Sequence, residues 1–116
     1  MRNTFSLVLV GALAFALPAL AVEARTGATV YFEHCTNCHG DDGRGPRTID
    51  FEGPALVDND FVKGQNDEEL IAFLKAGRPA DDPSNMLQVA MPPFSRMPPA
   101  DMKLLVQFLR KLAESK

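Results

Sequence analysis

The chain has 116 residues, room for one domain, with 12 Lys and Arg against 15 Asp and Glu, and a formal net charge of −3. That balance argues against nucleic acid as a partner, because phosphate binding needs a basic face, and it favours partners with basic docking patches. Two cysteines and two histidines limit any metal chemistry to a few positions, and no internal repeat or low-complexity tract occurs.

The first element reads as a leader. Met1-Arg2-Asn3 is a short positive start, and Phe5 to Leu20 is apolar apart from Ser6, Gly11 and Pro18. Ala19-Leu20-Ala21 then supplies the small-x-small pattern of a signal-peptidase site. Residues 1–21 are expected to be a signal peptide cleaved after Ala21, with Ala24 as the second choice. The rival is an uncleaved anchor, but a spanning helix wants roughly 20 apolar residues and Pro18 breaks this run early. The domain is then 22–116, with eleven basic against fifteen acidic residues and a net charge near −4. It is expected in the periplasm or otherwise secreted, without stable membrane insertion after cleavage.

An all-α domain of three main helices and two long loops follows. The first helix is expected from about Thr26, a fair N-cap, to Cys38, stopping at Gly40. Gly40-Asp41-Asp42-Gly43-Arg44-Gly45-Pro46 is a loop that continues through Gly53-Pro54. The second helix starts at Asn66 or Asp67, carries Glu68 and Glu69 where the helix dipole favours anions, and shows the stripe Leu70, Ile71, Phe73, Leu74. Gly77 and Pro79 end it. A loop from Arg78 to Arg96 holds four prolines with Met86 and Met91. The third helix spans about Pro99 to Ala113, with Pro99 at its first position, Met97 folding onto Met102 as a staple, and Leu105, Phe108, Leu109 and Leu112 facing inward. Strands are not indicated. Loops this long are unusual in a small domain unless they wrap around something.

The residues that carry chemistry are Cys35-Thr36-Asn37-Cys38-His39. Two thiols at this spacing add to the two vinyl groups of one heme, and the next residue projects its imidazole at the iron. A Cys35–Cys38 disulfide or a thioredoxin-type pair uses the same spacing, but the latter needs a βαβ context that is missing. Zinc needs four ligands around a tetrahedron, whereas His34, Cys35, Cys38 and His39 crowd one turn. His34 reads as a helix-surface residue. With no histidine beyond His39, the opposite iron ligand is sought among Met86, Met91, Met97 and Met102. Met91-Pro92-Pro93-Phe94 is the first choice, because two prolines fix an extended backbone that presents the thioether. Met97, also followed by two prolines, is the rival. Met86 is assigned to pocket lining or a loop contact and Met102 to the core, and an open sixth site is a further alternative.

These residues resemble class I cytochrome c from Thr26 to Leu112. Gly27 and Tyr31 precede the motif at the family's positions, Phe108 is similar to the aromatic that crosses the first helix near Gly27, and Gly53-Pro54-Ala55-Leu56 is similar to its GPxL element. The resemblance implies the cytochrome c fold wrapped around one covalent heme c. It implies that Pro54 accepts the ring N–H of His39 and that Leu56 touches the heme. The cofactor-binding set is therefore Cys35, Cys38, His39, Pro54, Leu56 and Met91, with His39 and Met91 as the metal ligands. The segments around Arg78 and Met91 look like bacterial periplasmic members. The expected function is electron carriage rather than enzymatic turnover, with redox protein partners such as a periplasmic dehydrogenase or a terminal oxidase or reductase. Arg78 or Arg96 is expected to pair with a heme propionate. The alternatives are a small heme enzyme or gas sensor with an open or displaceable sixth site, and a heme-bearing subunit of a larger redox complex.

Overall fold

The computed structural model describes residues 11, 14–20, 23–46 and 53–116. Much of the expected leader, including Ala21, and residues 47–52 of the first loop lie outside the described residues. No helix among the described residues is long and apolar enough to cross a membrane.

The helices form where the local signals place them, with two differences. Thr26 caps α1 (Gly27–His34), its side-chain oxygen accepting from the Thr29 N–H at 3.2 Å. The expected continuous helix to Cys38 breaks at Cys35, whose φ of −121° leaves the helical region, and resumes as α2 (Thr36–His39). The Thr36 hydroxyl donates to the Phe32 carbonyl at 3.0 Å, and such a bond back along a helix competes with the backbone ladder and bends it. The second difference is an extra short helix, α3 (Asp60–Gly64), capped by Asn59.

Asn66 opens α4 (Asp67–Ala76) with a reciprocal capping box to Glu69, and Gly77 closes it. Pro99 occupies the first turn of α5 (Pro99–Glu114). Among the described residues no strand forms, and the one β-type pairing is an antiparallel bridge between Arg78 and Met91.

The core is built on α5. Met102, Leu105, Val106, Leu109 and Ala113 are buried against Val30 and Tyr31 of α1, Val62 of α3, and Leu70 and Leu74 of α4. Each fully buried aliphatic side chain of this kind contributes about 1.5–3 kcal/mol. Met97 packs half-buried against the same cluster. Close approach of α1 to α5 depends on Gly27, where a Cβ would lie 2.3 Å from the Leu104 carbonyl oxygen and 2.8 Å from Phe108 Cβ. One turn on, the Tyr31 and Phe108 rings meet at 5.1 Å. Two arginines tie the elements at the surface. Arg25 reaches Glu33 of α1 and Asp101 of α5, and Arg110 of α5 reaches Asp67 together with the Gln65 carbonyl.

Candidate functional site

Cys35, Cys38 and His39 sit on the α1–α2 junction, and three contacts hold that turn in place. The buried Tyr31 hydroxyl donates to the Gly40 carbonyl at 2.7 Å. Gly40 turns the chain at φ 79°, and the Gly45 N–H returns to the His39 carbonyl at 2.8 Å. The Gly43 carbonyl accepts from Leu56 and Val57, which brings segment 53–57 against the motif.

That docking sets up His39. Its Nδ1 lies 2.8 Å from the Pro54 carbonyl oxygen. A carbonyl only accepts, so Nδ1 carries the proton and Nε2 keeps a free lone pair for a metal. Burial lowers the pKa of the imidazole, partly offset by the Pro54 contact, so the ring is neutral and ligand-competent at pH 7. Gly53 makes the approach possible: a Cβ there would stand 2.5 Å from the Cys38 carbonyl oxygen. Cys35 and Cys38 are free thiols, and burial, with a smaller contribution from Cys38, pushes Cys35 up to about 12.

The opposite wall comes from the second loop. Arg78 N–H donates to the Met91 carbonyl at 2.9 Å and Met91 N–H to the Arg78 carbonyl at 2.8 Å. The Phe94 N–H donates to the Leu74 carbonyl at 2.9 Å, pinning the Met-Pro-Pro-Phe segment to the end of α4. Gly77 lies so close to this segment that a Cβ would be 2.5 Å from the Met91 carbonyl oxygen.

Between the walls lies a mostly apolar cleft that opens to solvent. All six residues of the expected cofactor-binding set line it. Of the four methionines beyond the motif, Met91 alone does so. Met102 is in the core, Met97 packs beside it, and Met86 is 89% exposed, which corrects its assignment to the pocket lining. Arg78 lines the cleft, whereas Arg96 lines a separate depression with Phe94 and Met97. His34 is on the surface as expected but also edges both hollows, its ring 5.9 Å from that of Phe94. Sequence reasoning missed the apolar wall of Phe61, Val62, Leu87 and Val89, which no local motif marks.

This donor set fits a heme: two thiols on one turn, an oriented imidazole lone pair, a thioether across a mostly apolar cleft, and a cationic residue within it. Cys35 and Cys38 would carry the covalent attachment, and His39 and Met91 would hold the iron.

Residues 22–109 match a family profile described as cytochrome c oxidase, cbb3-type, subunit III. The chain is 29% identical over 99 residues to the cbb3-type cytochrome c oxidase subunit CcoP of Azospirillum brasilense, covering 83% of this chain and 30% of that protein. It is 31% identical over 67 residues to the CcoP subunit of Rhodobacter capsulatus, covering 58% of this chain and 22% of that one. The chain thus spans less than a third of the length of these curated relatives. Among solved structures, the KustC0563 c-type cytochrome superposes with a TM-score of 0.54 at 22% identity, over 78% of this chain and all of that one.

Proposed function

The chain belongs to the family described as cytochrome c oxidase, cbb3-type, subunit III, and is a class I c-type cytochrome; from that premise we propose that it transfers single electrons through one heme c ligated by His39 and Met91. The observation that carries this reading is the placement of Met91, alone of the downstream methionines, on the cleft wall facing the Cys35–His39 turn. A family of c-type cytochromes implies covalent heme, and one Cys-x-x-Cys-His motif with no further cysteine supports a count of one in this chain.

When bound, the heme supplies a one-electron ferric/ferrous couple whose potential is raised by thioether ligation. The chain's own residues make that couple usable. Pro54 fixes the His39 ring and the Arg78–Met91 bridge holds the Met91 segment, so that His39 and Met91 would hold the iron and would keep substrates off it. The mostly apolar wall leaves few polar groups beside the heme to reorganise when its charge would change. This arrangement favours transfer over turnover, and the reading of a small heme enzyme or gas sensor ranks behind it.

Two contexts for transfer compete. Both curated relatives are named as subunits of a cbb3-type cytochrome c oxidase, which supports a heme-bearing component of a larger redox complex over a freely diffusing carrier. The proposed partner is accordingly a terminal oxidase. Co-purification from the native membrane or periplasm at fixed stoichiometry supports the complex, and a stable monodisperse protein shuttling between partners supports the carrier. The site itself is tested by Met91→Ala, which should convert the spectrum to high-spin while Met97→Ala leaves it low-spin; the reverse pattern moves the ligand to Met97. Removal of residues 1–21, with Ala24 as the second site, remains part of the proposal and is read from the mass of the exported protein.

A further inference from the structure

Arg78 lines the cleft with its guanidinium on aromatic rings. It is half-buried, and among the described residues none of the ion pairs includes it. Its guanidinium carbon instead lies 4.8 Å from the ring centroid of Phe73 in α4 and 5.1 Å from that of Phe61 in α3. Those two rings meet edge to face at 4.9 Å. One cation is therefore shared by two aromatic rings on two different helices. The backbone of that same residue makes both hydrogen bonds of the bridge to Met91.

We propose that Arg78 is a positioning residue for the iron-ligating methionine: its guanidinium, seated against both Phe61 and Phe73, anchors the strand-like bridge that holds Met91 toward the metal. This rests on the His39/Met91 reading and adds to it a cause for the persistence of the thioether bond. Met91 lies in a loop with four prolines, which has no helical hydrogen bonds of its own to hold it. The Arg78 bridge is the restraint on the Met91 backbone itself; around it, Gly77 permits the close approach, the Phe94–Leu74 bond lies three residues on, and the Asn85 side chain donates to the Pro79 and Val89 carbonyls. A cation over aromatic rings in a partly desolvated site is worth enough to matter at that restraint. Arginine suits the task better than lysine, because a planar guanidinium stacks on ring faces and a compact ammonium does not.

The test uses the heme-loaded full chain and reads the far-red thioether-to-iron absorption band, the reduction potential, and the rate at which the ferric protein captures cyanide, which must displace the methionine. Arg78→Gln is expected to raise the capture rate roughly three- to thirtyfold, the range of a lost cation–π contact. Phe73→Leu and Phe61→Leu, which leave the charge in place, should reproduce the direction of the change, and Arg78→Lys should restore it incompletely. Lys103→Gln, which removes an exposed charge on α5 away from the cleft, is the charge control and should leave the rate unchanged. If Arg78→Lys restores wild-type behaviour and the phenylalanine variants are silent, Arg78 acts only as a charge and the clamp is overturned. Should Arg78→Gln fail to load heme, the two phenylalanine variants decide the matter alone. A wild-type protein without the far-red band overturns the ligand reading and this inference together, whereas a normal band with unresponsive variants overturns the clamp alone.

Discussion

At Gly53 the whole arrangement of the histidine side rests on a missing side chain. A Cβ there would meet the Cys38 carbonyl oxygen at 2.5 Å and His39 Nδ1 at 3.1 Å. Gly53→Ala is therefore expected to push segment 53–57 off the motif and destabilise the holoprotein by about 1–3 kcal/mol, the usual cost of overpacking, read as a lowered thermal midpoint. An unchanged midpoint would show that the segment yields without strain. On the other wall, Met91→Ala is expected to lower the reduction potential in a redox titration, since an imidazole–thioether pair sets it high. These residues differ in how legible they were. Cys35, Cys38 and His39 announce themselves because their chemistry is local, five consecutive positions on one turn. Choosing Met91 over Met97 needed the prolines and the staple argument; both side chains pack half-buried against the core cluster, and Met91 is the one that lines the cleft. Arg78 was expected, with Arg96 as the alternative, only to pair with a heme propionate. Its engagement with Phe61 and Phe73 joins residues far apart in sequence, and nothing local encodes it.

Among the elements, α4 was fully legible because its cap, apolar stripe and glycine stop are all short-range signals. The capping box is also its most testable feature: Asn66→Ala should cost about 1 kcal/mol of stability in chemical denaturation, and a loss much below that would mean water replaces the cap. The α1–α2 break was not legible, because it depends on the Thr36 hydroxyl competing for the Phe32 carbonyl rather than on a glycine or proline. Nor was α3, which has five residues and buries only Val62, too little to show a period. At the α1–α5 crossing, Gly27→Val should be severely destabilising, because a side chain there collides with the backbone of α5. The Arg25 contacts beside this crossing predict a pH effect. The side-chain hydrogen bonds of Arg25 lower the pKa of Glu33 below the ordinary carboxylate range. A carboxylate with a depressed folded-state pKa contributes stability that is present above its unfolded value and is lost as pH falls through the folded one. Arg25→Ala should accordingly flatten the acid limb of the stability profile, by a small amount because both partners are exposed.

Taken as a whole, the described chain is a three-walled container: the motif turn on one side, the Met91 loop on the other, and the α5 core behind. Among the described residues eleven apolar side chains are buried in the core, and the cleft removes interior that a cofactor has to fill. Replacing Cys35 and Cys38 together with Ala is expected to leave the chain largely unfolded by far-ultraviolet circular dichroism, and a cooperative, native-like melt of that variant would contradict the wrapping of the chain around heme. The same dependence explains why two long loops exist in so small a domain: the first brings Pro54 against His39 of α2, and the second brings Met91 to the opposite wall. Whether the loaded domain works within a complex is a question of its surface, while its chemistry is decided in the cleft. The most direct test of that chemistry is the visible absorption spectrum of the heme-loaded protein, oxidised and reduced. Sharp low-spin bands on reduction with a weak far-red thioether band when oxidised are the predicted result; a high-spin ferric spectrum would contradict His39/Met91 ligation and bring the open-iron reading forward.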